Sequence, residues 1–268
     1  MEKTGTIALT YVTADTEFSL FRVGEVGEYG GYVLDDQYSA YDISLESVTA
    51  PQTLAYYLER DEIQPLMTAS TDENGQVIFE NLEQAVYLVA GEVTEEKDMI
   101  YTPVPILQQI PSWIGEELCY DLNAEVKYES RKAPVTQDVS VLKIWKDAGA
   151  KEGRPESIEV QLLKKGTVKD TVTLNDANNW TYEWMDLDGK SAWTVVEKQV
   201  PEGYTADIMK DGDEYVITNT STSVNTGTLD AVLPQTGQLW WPVPLLVCAG
   251  LFFVIFGMIV KAGEKHEK

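Results

Sequence analysis

One histidine and two cysteines are all that the 268 residues offer for imidazole or thiolate chemistry. His266 lies in the terminal run KAGEKHEK, a polar tail in which an imidazole is solvated and not held as a general base or a ligand. No Ser/His/Asp or Cys/His constellation can therefore be assembled. Cys119 stands in polar sequence and Cys248 inside a long apolar run, so a disulfide between them is not expected. The chain contains no GxGxxG or GxxxxGK[ST] loop and no CxxC pair, which removes the usual phosphate cradles and thiolate zinc sites. Asp35-Asp36, Asp72-Glu73-Asn74 and Asp211-Gly212-Asp213 supply the oxygens that calcium favours, but none completes a D-x-[DN]-x-[DN]-G loop with its distal glutamate. They read as turns, and neither a metal site nor a cofactor is expected.

Charge narrows the function classes further. Lys and Arg total 20 against 44 Asp and Glu, a formal net charge of -24, and such a field repels phosphate backbones. Nucleic acid is excluded as a partner. With 44% hydrophobic and 10% aromatic residues the acidity belongs to a folded surface, and the length suits two modest domains.

Between Asp230 and Lys261 no residue is charged, and 239–260 (LWWPVPLLVCAGLFFVIFGMIV) has the roughly 20 apolar residues that a bilayer core requires. Trp240 and Trp241 suit the outer interface, and Lys261, Lys265 and Lys268 place the tail in the cytoplasm by the positive-inside rule. Everything before the span then faces outside. The start, MEKTGTIALT, shows no basic region followed by an apolar run, so the natural precursor is expected to begin further upstream. Just before the span stand Leu233, Pro234, Gln235, Thr236 and Gly237. The order LPxTG, apolar span, basic tail resembles the cell-wall sorting signal of Gram-positive surface proteins. That resemblance implies that a sortase attacks the Thr236 carbonyl, releases Gly237 with the membrane segment, and passes Thr236 to an amine of peptidoglycan or of another pilin subunit. Pro234 biases Leu233 away from helix, which suits an extended substrate. The stretch 222–232 is small and polar, as a flexible linker would be.

From Val139 to Asn219 short alternating runs (VSVLKIW, SIEVQLLKKG, DTVTLN, WTYEWMDL, SAWTVVEKQV, EYVITNT) are separated by Gly, Asn and Asp. This is all-β patterning, with Trp145, Trp180 and Trp184 as core or inter-sheet aromatics. The same stretch resembles a Cna B-type domain through VLKIWKD, RPESIEVQLLKKG, NNWTYEW, WTVVEKQVPEGY and VITNT, in that order. In that family a first-strand lysine, a last-strand asparagine and a glutamate before the PxGY turn form a spontaneous intramolecular isopeptide bond. By position these are Lys143, Asn219 and Glu197.

The chemistry accounts for the three residue types. Burial in an apolar sandwich disfavours charge, so the lysine should lose its proton and become nucleophilic while the glutamate should stay neutral. A neutral carboxylic acid can polarise the asparagine carbonyl and shuttle protons as ammonia leaves.

Residues 1–131 are also strand-rich. Asn74-Gly75 marks a tight hairpin turn, and Leu54, Tyr57 and Leu58 behind Pro51 mark a short helix. FSLFRVGEV, VYLVAGE, YTPVPILQQIP and CYDLNAEVKYE resemble the N-terminal domain of Gram-positive pilin subunits. The bond-forming trio is not expected here, because the first strand TIALTYV lacks lysine and the glutamate's place falls at Gly91. Lys127 falls where such pilins carry the lysine that accepts the next subunit's threonine, although the usual flanking tyrosine-proline and asparagine are missing. A solvated lysine near a domain end is the other reading.

The expected fold is all-β: two tandem Ig-like or prealbumin-like β-sandwich domains, 1–131 and 136–221, followed by the linker, the sorting signal 233–268 and its transmembrane helix. The expected function is that of a cell-wall-anchored structural protein and not an enzyme: a sortase-assembled pilin subunit, or alternatively a monomeric adhesin with a host or matrix ligand. Its membrane contact is the C-terminal helix before processing.

Overall fold

The computed structural model describes residues 3–27, 31–148 and 153–222. The sorting signal and the apolar span lie outside these residues. Among the described residues no helix is long and apolar enough to cross a membrane.

The N-terminal half begins with β1 (Gly5–Thr10), which turns Ile7 and Leu9 inward. Next, β2 (Glu17–Val26) serves two cores, giving Phe18 and Leu20 to one and Phe21 and Val23 to the other. After β3 (Tyr32–Leu34) comes α1 (Ala50–Arg60), the single α-helix among the described residues. Pro51 sits in its first turn, where a missing N–H costs nothing, and Leu54, Tyr57 and Leu58 are buried on its inner face as their spacing predicts. Burying each such side chain contributes roughly 1.5–3 kcal/mol.

The strands that follow are β4 (Met67–Ser70), β5 (Gln76–Leu82), β6 (Ala85–Gly91), β7 (Thr94–Glu96) and β8 (Met99–Pro103). They continue as β9 (Ile106–Ile110), β10 (Ser112–Ile114), β11 (Glu117–Cys119), β12 (Asp121–Glu125) and β13 (Tyr128–Lys132). One sheet runs β12-β1-β5, with β12 parallel to β1. A second runs β3-β2-β6-β9, with β4 also on β2, and a third runs β13-β8-β7. The run AVYLV in β6 is continuously apolar because both its faces are covered: Tyr87 and Val89 join Ile7, Leu9 and Phe79, while Val86 and Leu88 meet the core that includes α1. Asn74-Gly75 does form a tight turn, with Gly75 at φ +73° and Asp72 Oδ1 accepting from the Asn74 and Gln76 amides. The strands it joins belong to different sheets, however, so the expected hairpin ladder is replaced by a corner.

The C-terminal half is built from β14 (Thr136–Lys146), β15 (Ser157–Lys164), β16 (Thr167–Asn175), β17 (Thr181–Asp188), β18 (Trp193–Glu197), β19 (Tyr204–Asp211) and β20 (Glu214–Ser221). They make two facing sheets, β17-β14-β20-β19 and β16-β15-β18. The first and last strands, β14 and β20, lie side by side and parallel, in register from Ser140↔Glu214 to Lys146↔Thr220.

Such a sandwich has an open side between its edge strands β18 and β19, and α1 fills it. The exposed amides of β19 are taken up from the N-terminal half: Ala206 N donates to Asp42 O at 3.0 Å and Ile208 N to Thr53 Oγ1 at 2.8 Å. Ser47 and Thr49 donate their hydroxyls to Asp207 at 2.5 and 2.8 Å. On the β18 side, Glu59 accepts the Thr194 hydroxyl at 3.2 Å and the Gly166 amide at 2.9 Å. Edge strands with unpaired amides invite pairing with other chains, and a helix laid over both removes that hazard. The larger hydrophobic core accordingly runs without a break from Phe21 and Leu88 through α1 to Val141, Leu162 and Ile217.

Candidate functional site

Alternation along β14 points Val139, Val141 and Lys143 into the sandwich. On β20 the same rule turns Tyr215, Ile217 and Asn219 inward. Because the two strands are parallel, with Lys143 opposite Ile217 and Trp145 opposite Asn219, the lysine and the asparagine share one face of one sheet. Glu197, the last residue of β18, reaches them from the facing sheet.

All three are shut off from water, at 3% exposure for Lys143 and 0% for both Glu197 and Asn219. Asn219 Nδ2 donates to Glu197 Oε1 at 3.2 Å, while Glu197 Oε2 and Asn219 Oδ1 are buried without partners. Lys143 Nζ makes only a long contact to its neighbour's carbonyl, Ile144 O at 3.4 Å, and lies 4.2 Å from the centre of the Trp145 ring. A charge in such a place is costly unless fully paired. Burial accordingly pushes the Lys143 amine well below the usual lysine range, with the Arg154 charge adding to that and the Glu197 charge opposing it. Burial also raises the Glu197 carboxyl, against the opposing pull of Lys143 and the Asn219 hydrogen bond. Both directions favour a neutral amine beside a neutral acid.

An aromatic cap closes one end of this cluster. Trp145 packs edge-on against Trp180 and Tyr204, with ring centres 5.3 and 5.1 Å apart. Beyond it Arg154 grips Asp147 with two hydrogen bonds, from Nε at 2.5 Å and from Nη2 at 2.7 Å, and Tyr204 donates its hydroxyl to the same carboxylate at 3.4 Å. Sequence reasoning singled out Trp145 and Trp180 but passed over Asp147, Arg154 and Tyr204. The carboxylate-guanidinium pairing between KIWKD and GRP was the available signal.

The other expected site residues fall elsewhere. Lys127 is exposed between β12 and β13, where its carbonyl accepts from Val104 N at 2.8 Å. Leu233, Pro234, Gln235, Thr236 and Gly237 lie outside the described residues. At Gly91 a β-carbon would stand 2.5 Å from the Phe18 ring and 2.8 Å from Pro103, so this position has no room for an acid. Among the described residues no group of three or more His, Cys, Asp or Glu side chains is arranged to hold a metal ion.

Comparison with known proteins concerns the C-terminal half as a domain. Residues 139–220 match the Cna protein B-type domain, and the chain carries one such domain over that stretch. Over 98 residues, 36% of this chain, it is 32% identical to a collagen adhesin of Staphylococcus aureus. The match spans only 8% of that adhesin's length. Among solved structures, a single B repeat unit of the collagen binding surface protein of Staphylococcus aureus is similar at 18% identity, covering 83% of this chain and 100% of that one with a TM-score of 0.32. The shaft pilin SpaA from Lactobacillus rhamnosus GG is similar at 13% identity, covering 83% and 99%, with a TM-score of 0.31.

Proposed function

We propose that this chain is a sortase-anchored surface protein of Gram-positive type, most simply a pilin subunit, whose B-type domain is closed by an isopeptide bond between Lys143 and Asn219. The burial of Lys143, Glu197 and Asn219 in one water-free cluster, with Glu197 hydrogen-bonded to the asparagine amide, supports this reading above all else. In the reaction the neutral Lys143 Nζ attacks Asn219 Cγ while Glu197, as the neutral acid, donates a proton towards the carbonyl oxygen. The tetrahedral centre collapses as the Cγ–Nδ2 bond breaks. Glu197 relays the amine's surplus proton to the departing nitrogen, so that one amide forms, one ammonia leaves and the acid is restored.

The two halves are proposed as domains of 1–131 and 136–221, followed by the tether 222–232, the LPQTG motif and the transmembrane helix. Sortase would join Thr236 to peptidoglycan or to another subunit, with Lys127 as the proposed acceptor in a fibre. The collagen adhesin relative favours a second reading, a wall-bound monomer with a matrix ligand. The test of the bond is the mass of the purified wild-type chain. A chain lighter by one ammonia, with a branched tryptic peptide joining β14 to β20, supports it, and an unmodified mass from folded protein overturns it.

A further inference from the structure

Helix α1 reaches the cluster from behind. Glu197 ends β18 opposite Val160, and Lys198 N still donates to Glu159 O at 2.9 Å. Arg60, the final residue of α1, takes the carbonyls of Glu197 and Lys198: Nη1 donates to Glu197 O at 3.1 Å and to Lys198 O at 3.0 Å. Its other nitrogens are occupied by Asp61, with Nε and Nη2 each donating at 2.8 Å, and this carboxylate balances the guanidinium charge. One turn earlier on α1, Tyr57 is 1% exposed, and its hydroxyl is buried without a partner. Burial raises this hydroxyl's pKa, and the Glu197 charge adds to that. The acid therefore has a backbone clamp, and the helix that supplies it, with its buried Tyr57, precedes the B-type domain in the chain.

We propose that α1 is part of the bond-forming centre, with Arg60 a positioning residue that fixes Glu197 and Tyr57 the wall that keeps water from it. Cross-linking of the C-terminal half then follows the docking of the N-terminal half, and chains whose halves have not assembled stay open. This inference rests on the Lys143–Asn219 reading. The groups facing Glu197 are Lys143 from β14, Asn219 from β20, and Tyr57 and Arg60 with its partner Asp61 from α1; on the outer side of β15, Glu159 is already paired to Lys198 at 2.7 Å. Burial holds Glu197 neutral at higher pH than an ordinary carboxyl, and if Tyr57 is the wall that keeps water out, the alkaline limb of the reaction depends on it.

The test uses the full chain, recovered unfolded from inclusion bodies and diluted with mild detergent into buffers across a pH series. Intact mass gives the rate of ammonia loss, and circular dichroism gives the rate of folding. Arg60→Ala should fold yet cross-link roughly tenfold to hundredfold more slowly, the range expected when a reacting group is displaced by about an ångström. Arg60→Lys, which keeps a donor for one carbonyl, should recover part of that loss. Tyr57→Ala should move the alkaline limb to lower pH, because water admitted beside Glu197 lets it ionise earlier, whereas Tyr57→Phe should leave the limb in place. A merely structural role for the helix would slow folding without moving the limb. Wild-type cross-linking rates in Arg60→Ala, or an unmoved limb in Tyr57→Ala, would overturn the role of α1 alone. A wild-type chain that folds and keeps its ammonia overturns the bond itself and this inference with it.

Discussion

Asn219 Nδ2 donates to Glu197 Oε1 at 3.2 Å, while the amide oxygen Asn219 Oδ1 and the other carboxyl oxygen, Glu197 Oε2, are buried with nothing to accept from. Two orphaned acceptors at one place cost about 1–3 kcal/mol each. A single proton on Glu197 would turn one of these acceptors into a donor. The hydrogen-bond inventory and the water-free surroundings thus ask for the same species, the neutral acid.

Glu197→Ala should return the chain to its full, unmodified mass, because a buried amine and amide do not condense at a useful rate without an acid to polarise the carbonyl. Opening the loop between Lys143 and Asn219 should cost roughly 4–5 kcal/mol on the chain-entropy account. Intact-mass spectrometry and thermal melts of the two proteins check both statements. A variant still lighter by one ammonia would remove Glu197 from the chemistry.

Thr236→Ala should leave the protein in the membrane fraction and absent from wall material released by a muramidase. Immunoblots of the two fractions decide this. Covalent retention in the wall would show that LPQTG is not the sorting motif.

If Lys127 accepts the threonine of the next subunit, Lys127→Ala should abolish the heat-stable ladder of multimers while the monomer keeps its melting temperature. The lysine is exposed, so folding should not suffer. An unchanged ladder would direct attention to another lysine, and a wild-type blot with a monomer band alone would favour the adhesin.

Gly166→Ala should destabilise the joint between the halves by about 1–3 kcal/mol. Gly166 has φ +71°, and a β-carbon there would stand 2.8 Å from the Glu59 carbonyl oxygen on α1. Urea titration followed by tryptophan fluorescence would register the loss as a lower midpoint. An unaltered midpoint would mean that α1 contributes little to holding the sandwich closed.

Much of the cluster is legible in the sequence, because strand alternation has a fixed period. Once VSVLKIW is a strand with its valines inward, Lys143 is inward too, and the same logic places Asn219 beside Ile217. The helix was equally readable from Pro51 and the spacing of Leu54, Tyr57 and Leu58. Its destination was not. Arg60 meets Glu197 across 137 residues, and no local pattern encodes which edge a helix will cover. The turn at Asn74-Gly75 shows the same limit, since turn chemistry specifies a reversal of the chain but not whether the two arms enter one sheet or two.

The parallel pairing of β14 with β20 also sets how the C-terminal half bears tension. The chain enters that half at the start of β14 and leaves at the end of β20, so its entry and exit lie at opposite ends of two adjacent strands running the same way. A pull between Thr136 and Ser221 therefore loads the rungs of this ladder together in shear and does not unzip them one at a time. With the proposed bond in place, the load path would run from β14 through the Lys143 side chain to Asn219 and out along the end of β20. The segment between the two residues, with the rest of the sandwich, would lie off that path and carry no force.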